Sequence, residues 1–372
     1  MTERVLITGG GGFIGRHIAR ALLERGSTVR VLDNLNEQVH GRLASAQLLG
    51  PDIETIIGDI RDATIVRRAL KRVDKVVHLA AEVGVGQSMY AVQRYVSAND
   101  CGTAVLTEAL IENHVERVVV ASSMSIYGEG LYRDADGTLI EDAPRLVRRT
   151  NGSTIWDPLD EDGRPLVPVP TPEWKRPILA SVYALTKYVQ ERMVLMMAAA
   201  YGMEAVALRL FNVYGSGQAL SNPYTGVLAI FASRLLNGRS PLIFEDGQQR
   251  RDFVHVGDVA RAFLLALDHP AAVGRVYNVG SGEHRTIAEI ADLLAGAMGR
   301  RDIAPEITGQ ARTGDIRHCF ADVSKIRNEL GFVPRSNFAE GLIELAQWVA
   351  SQEAHDRVQK AREELEQRGL VA

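Results

Sequence analysis

The chain has 372 residues, 46% hydrophobic and 24% charged, the proportions of an ordinary globular protein long enough for one large core or two unequal lobes. A formal net charge of −4 and a pI near 6.2 supply no basic face, which argues against a nucleic-acid partner while leaving room for a local basic pocket. Cys101 and Cys319 form neither a disulfide framework nor a metal spacing, no leader precedes the first strand pattern, and no apolar run reaches the roughly 18 residues of a membrane span. A reduced, cytoplasmic setting without membrane or metal is therefore expected.

In chain order, Val5–Thr8, Thr28–Asp33, Ile53–Gly58, Lys75–Leu79, Arg117–Ser122 and Ala205–Leu210 are predicted as strands. They are short, β-branched and apolar on both faces, as a parallel sheet covered on two sides requires. Helical patterns at Gly15–Arg25, Thr64–Lys71, Gly102–Asn113 and Val182–Ala200 lie between them. That alternation predicts right-handed βαβ units and an α/β, Rossmann-type, doubly wound sheet. From about Glu129 to Ile178 the rhythm breaks at Pro144, Pro158, Pro165, Pro168, Pro170, Pro172 and Pro177. A stretch this long without regular structure is either an insertion serving the active site or a surface excursion.

Beyond Tyr214, helices are predicted at Gly226–Asn237, Val256–Asp268 and Ile287–Met298, with a strand at Val276–Val279. The expected division is a dinucleotide-binding domain over 1–213, a mainly substrate-binding mixed α/β lobe over 214–350, and a charged tail over 351–372. Residues 250–278 are expected to return to the first domain. Gln352–Gln367 shows no apolar stripe and is expected to be solvated and frayed.

Gly9, Gly12 and Gly15 stand at G-x-x-G-x-x-G spacing where the first strand runs into the first helix, with Phe13 and Ile14 between the last two. The first permits a tight turn, the second close approach of a pyrophosphate, and the third close helix–strand packing. The helix N-terminus adds free N–H donors and a positive dipole end. Asp33 closes the second strand, where a carboxylate accepts from both ribose hydroxyls and repels a 2′-phosphate, so NAD is expected over NADP. Asn34, then Asp59 and Ile60 after the third strand, and Leu79, Ala80 and Ala81 after the fourth lie at strand ends where such sheets bind ligands.

Tyr183 and Lys187 project from one helical face, four residues apart. A held ammonium, and the positive nicotinamide ring of NAD+, would lower the pKa of the phenol, and the phenolate can accept a hydroxyl proton. Ser122, Ser123 and Ser125 lie in Ala121–Gly128 at the end of an earlier strand, where a hydroxyl can steady a developing carbonyl. Cys101, at a helix start, is expected to be packed, and His255 to be structural.

These glycines, the Ser-x-x-x-Tyr-Gly strand end, Tyr183 with Lys187, and Arg209–Gly215 resemble the extended short-chain dehydrogenase/reductase family, in its nucleotide-sugar epimerase and dehydratase branch. The resemblance implies Ser123 as the catalytic hydroxyl, Tyr183 as the base, Lys187 as its partner and Asn99 near the site. Gln249–Ala260 and Arg312–Asp315 resemble its nucleotide-binding stretches. Arg251 and Arg312 are thereby expected at the diphosphate, with Asn212 adding a neutral donor and Asp315, Ser125 and Asn222 also at the substrate. A homodimer through the helices at 102–113 and 182–200 is implied as well.

Dehydrating members place an acidic pair directly after the catalytic Ser/Thr, and decarboxylating members a nearby Glu; here those positions hold Met124 and Ser125. What remains fits 4-epimerisation of a nucleotide-diphosphate hexose. The insertion, Tyr183–Met193 and Asn222–Gly226 are similar to bacterial dTDP-L-rhamnose 4-epimerases, which form dTDP-6-deoxy-L-talose. UDP-glucose or UDP-glucuronate 4-epimerisation and 4-keto reduction stay open.

Overall fold

The main sheet consists of β1 (Arg4–Thr8), β2 (Thr28–Asp33), β3 (Ile53–Ile57), β4 (Lys75–His78), β5 (Arg117–Ser123), β6 (Glu204–Leu210) and β7 (Val276–Val279). In this computed structural model the strands run parallel in the order β7-β6-β5-β4-β1-β2-β3. Residues 2–41, 49–143, 145, 148–150, 153–224, 226–352 and 356–371 are described; Thr225, parts of the insertion and residues 353–355 of the C-terminal segment lie outside them. Each strand expected from the sequence is present with ends within one residue, because runs such as Val5-Leu6-Ile7 and Val118-Val119-Val120 are buried on both faces. Full burial of such side chains contributes roughly 1.5–3 kcal/mol each.

Helices α1 (Phe13–Glu24), α2 (Ala63–Ala69), α3 (Gly102–Glu112) and α4 (Val182–Ala200) connect the strands. The second half adds α5 (Val227–Leu236), α6 (Val256–Asp268), α7 (Ile287–Ala297), α8 (Phe338–Ala350) and α9 (Val358–Glu366). One face of the sheet packs on α1 and α6, with Ile18, Leu22, Val259 and Phe263 fully buried. The other carries α2, α3 and α4, with Val66, Leu106 and Val194 in its core. A separate core, around Phe231, Leu294 and Leu345, joins α5, α7 and α8. The chain order reverses between β1 and β4, and the crevice at their C-terminal ends is where doubly wound sheets bind ligands.

Three expectations are corrected. The C-terminal segment is not wholly solvated: α9 buries Ala361 and Leu365, and Thr313 N donates to Leu370 O at 2.9 Å. Two apolar side chains at i and i+4 make a stripe too narrow to stand out in so charged a run. Cys101 is exposed rather than packed, since it ends a π-helical turn, Val96–Cys101, with its side chain outward. The insertion contains short strands, Leu131–Arg133 pairing with Leu139–Ile140 and with Val167–Val169.

Candidate active site

The glycine loop is shaped by its neighbours. Gly9 has φ +71° and donates to Leu32 O at 2.8 Å; a Cβ there would stand 2.7 Å from Ala80 N, so the loops after β1 and β4 are in contact. A Cβ on Gly15 would meet Gly10 Cα at 2.5 Å: the close packing is against the loop itself, not the strand. Around Gly12 the only near atom is Gly9 O, at 3.3 Å, which leaves one side of its backbone open. No side chain caps α1. An uncapped twelve-residue helix over an open glycine backbone fits the pyrophosphate of a dinucleotide.

Asp33 Oδ2 accepts from Gly11 N at 2.9 Å and Oδ1 from Leu35 N at 2.8 Å, with His40 Nε2 3.4 Å away. Burial alone would raise this carboxyl, but His40 and the two backbone N–H groups outweigh it and hold it below its ordinary value. It is therefore ionised at neutral pH, as a ribose acceptor must be. Asn34 Nδ2 donates to Asp59 Oδ2 at 3.3 Å, and Arg61 holds Asp59 down to about 2. Ile60 packs against Gly102 at the start of α3. Leu79, Ala80 and Ala81 follow β4, part-buried beside the glycine loop, as are Phe13 and Ile14.

Tyr183 lies in the first turn of α4, whose N-cap Ser181 accepts from Ala184 N at 3.1 Å; the Tyr183 N–H left over by the helix donates to Ser88 Oγ at 3.0 Å. Ser123 ends β5 and accepts from Ser125 N at 3.2 Å and Ser125 Oγ at 2.9 Å. The Ser123 hydroxyl also acts on the Tyr183 phenol, favouring its charged form. The structure thus brings Ser123, Ser125 and Tyr183 together. The expected lowering of the phenol is not present: burial pushes Tyr183 up, and Ser123 opposes this. Lys187 Nζ does not bond the phenol but donates to Gln190 Oε1 at 2.6 Å, and burial pushes the ammonium down to about 7 against the pull of Glu191. Glu191 itself receives two hydrogen bonds from Arg209, at 2.8 and 2.9 Å.

Asn99, fully buried in the π-helical turn, accepts from Glu82 N at 2.7 Å and donates to Thr186 Oγ1 at 2.9 Å, tying the loop after β4 to α4. Such turns recur at functional sites. Tyr127 of the Ser-x-x-x-Tyr-Gly run donates to Asn278 and receives Arg209, so it joins β5, β6 and β7 rather than facing the site.

The second-half residues are less closely gathered. Arg312 pairs with Asp315 at 2.8 Å and lies over the Phe244 ring at 4.4 Å. Arg251 directs three of its five N–H donors at the carbonyls of Arg250, Arg317 and Ile316. Asn212 Nδ2 donates to Asp252 O, which uses one of its two amide N–H groups. Asn222 accepts from Gln38 at 3.2 Å, next to the loop after β2. His255 Nδ1 accepts from Gly257 N at 3.2 Å as the N-cap of α6, a structural position. Sequence reasoning missed Gln190, one turn past Lys187, and His78, Thr103 and Thr186 around it. It also missed Arg145, in the insertion, which donates to Asp315 O at 2.9 Å and contacts Glu245. The i+3 spacing pointed to Gln190; nothing local pointed to Arg145.

A family model described as "NAD dependent epimerase/dehydratase family" matches residues 5–145 and 170–280, leaving out the middle of the insertion. A dTDP-L-rhamnose 4-epimerase of Burkholderia thailandensis is 34% identical over 94% of this chain and 96% of its own length. A UDP-N-acetylglucosamine 4-epimerase from Methanobrevibacter ruminantium, solved with UDP-N-acetylmuramic acid, superposes with TM-score 0.77 at 30% identity, covering 95% of this chain and 100% of that one. A Thermus thermophilus UDP-glucose 4-epimerase, solved with NAD, gives 0.73 at 32%, covering 94% and 100%. Among the described residues no helix is long and apolar enough to cross a membrane, and no side-chain cluster suits a metal ion.

Proposed function

The chain belongs to the NAD-dependent epimerase/dehydratase family, a family of enzymes, and from that premise we propose that it inverts C4 of a nucleotide-diphosphate hexose. The observation that carries this reading is Ser123, at the end of β5, acting on Tyr183, one turn before buried Lys187 on α4, with buried Met124 and hydroxylic Ser125 where sugar dehydration would need an acidic pair. Gly9 to Gly15 would hold the pyrophosphate and Asp33 the adenosine ribose. NAD, when bound, supplies reversible two-electron oxidation at the sugar carbon.

The remaining work falls to side chains. Tyr183 Oη, once deprotonated, takes the proton of the 4-hydroxyl, and Ser123 donates to the same oxygen as it becomes a carbonyl. When the opposite face of C4 is presented, Tyr183 returns the proton, so the enzyme ends as it began. A Lys187 ammonium would favour the phenolate over the phenol, so that the two side chains together would supply one base. Arg251, with two donors not given to carbonyls, and Arg312 would neutralise the diphosphate.

The substrate reading that we prefer is dTDP-L-rhamnose, giving dTDP-6-deoxy-L-talose, supported by the 34% identical relative. A UDP-hexose is the alternative, favoured by the two solved neighbours. Incubating the enzyme with a panel of dTDP- and UDP-sugars, with no added reductant, and following C4 configuration by NMR tests both. Inversion without net reductant is expected; net consumption of NADH or NADPH would replace epimerisation by keto reduction. The α3 and α4 helices are proposed to pair in a homodimer, since Leu185 and Met196 on α4 are 44% and 63% exposed; a monomer in sedimentation would overturn this.

A further inference from the structure

One turn beyond Lys187 on α4, Gln190 is buried at 1% exposure, and its amide has a complete set of partners. Oε1 accepts from Lys187 Nζ at 2.6 Å; Nε2 donates to Thr103 Oγ1 at 2.8 Å and to Ala80 O at 3.2 Å, and lies 3.2 Å from His78 Nε2. Those partners decide which way the amide points. Ala80 O can only accept, and Thr103 Oγ1 already gives its single proton to Asn99 O at 2.6 Å. Both therefore need the amide nitrogen, which leaves the oxygen for Lys187.

No other group takes this role. His78, on β4, is held between Thr8 Oγ1 at 2.7 Å and Thr103 Oγ1 at 2.9 Å; burial and the Lys187 charge push it down to about 3, so it stays neutral. Glu191, on the same helix, gives both oxygens to Arg209 of β6. Asn99 is bonded to Glu82 and Thr186. Tyr183 lies one turn back, with Ser123.

We propose that Gln190 is a positioning residue: its amide oxygen stabilises the Lys187 ammonium, and its amide nitrogen anchors that ammonium to the strand-end loop at Ala80, so that Gln190 sets the pH at which the Tyr183/Lys187 pair becomes a base and the share of phenolate in it. The kinetic part rests on the reading of Tyr183 as the base. A neutral amide does this without cancelling the charge that the phenolate requires. In the state lacking one proton, the remaining proton is on nitrogen or on oxygen. Losing the acceptor moves it to oxygen, and the phenolate fraction falls.

The test uses NAD-loaded enzyme with Gln190→Met, which keeps shape without an acceptor, and Gln190→Glu, which makes the acceptor a charge. With six lysines in the chain, 13Cε-lysine labelling isolates the Lys187 signal, assigned by its loss in Lys187→Arg. A hydrogen bond to a charged group corresponds to about one pH unit, so the Lys187 midpoint is expected to fall by that much in Gln190→Met and to rise in Gln190→Glu. For an NDP-sugar that the wild type turns over, the rising limb of the pH profile follows the same directions, and kcat in Gln190→Met falls about tenfold with KM little changed. A purely packing role would leave the Gln190→Met midpoint within about 0.3 pH unit of wild type, and that result overturns the proposal. If the midpoints move as stated while no NDP-sugar reacts, the positioning role stands and the epimerase reading falls. If Gln190→Met does not fold, Gln190→Leu, likewise without an acceptor, carries the same test with the same outcomes.

Discussion

Replacing Glu191 by glutamine tests whether α4 is held by charge or by shape. Both Glu191 oxygens accept from Arg209, at 2.8 and 2.9 Å, and the two side chains are 0% and 6% exposed. Arg209 also donates to Tyr127 Oη and Glu173 O, so β6, β5 and α4 meet at one guanidinium. An amide keeps one of the two acceptors and removes the negative charge, leaving a buried cation without a counter-charge. Breaking a buried pair from one side costs about 3–5 kcal/mol, and with one acceptor retained the lower end is expected. The measurement is urea denaturation of holoenzyme at 25 °C, wild type against Glu191→Gln. A loss below about 1 kcal/mol would place this pair with exposed ion pairs and refute the argument that burial magnifies it. A second consequence follows from sign: the Glu191 charge raises the Lys187 ammonium, so the variant's Lys187 midpoint falls from about 7.

Tyr183→Phe is expected to lower turnover by about a thousandfold or more while NAD content stays as in wild type, checked by kinetics and by cofactor released on denaturation. Asp33→Ala is expected to reduce the preference for NAD over NADP by about tenfold, measured by competitive binding; unchanged preference would remove Asp33 from the ribose site. Leu365→Ala is expected to cost about 2–5 kcal/mol if the segment were global, and otherwise to free α9 alone. Faster amide exchange confined to residues 358–371 would show the second, and unchanged exchange would return α9 to the solvated tail first expected.

The strands and long helices were legible because their pattern is local: Thr28–Asp33, Val182–Ala200, Val256–Asp268 and Val276–Val279 have the ends that the sequence predicts. The glycine loop, Asp33, Ser123 and the Tyr183/Lys187 pair were legible for a related reason. Each motif sits where a strand passes into a turn or helix, and the parallel sheet brings all those ends to one edge. Less legible were groups whose environment comes from distant residues. One amide N–H of Asn212 is taken by Asp252 O, 40 residues away, which nothing in its own stretch announces. Leu365 gave no signal, because the surface against it comes from the loop around Gly86.

The sequence by itself determined the doubly wound sheet and the place of the glycine loop, and it singled out Ser123, Tyr183 and Lys187 as candidates, since periodicity, turn residues and motif spacing act over a few residues. Only the tertiary structure decided the charge state of those side chains. Burial raises the Tyr183 phenol and lowers the Lys187 ammonium, and whether the latter finds an acceptor depends on Gln190 being pinned by Thr103 and Ala80 from two other elements. Desolvation and hydrogen-bond geometry are properties of the packed site, and no stretch of chain contains them alone.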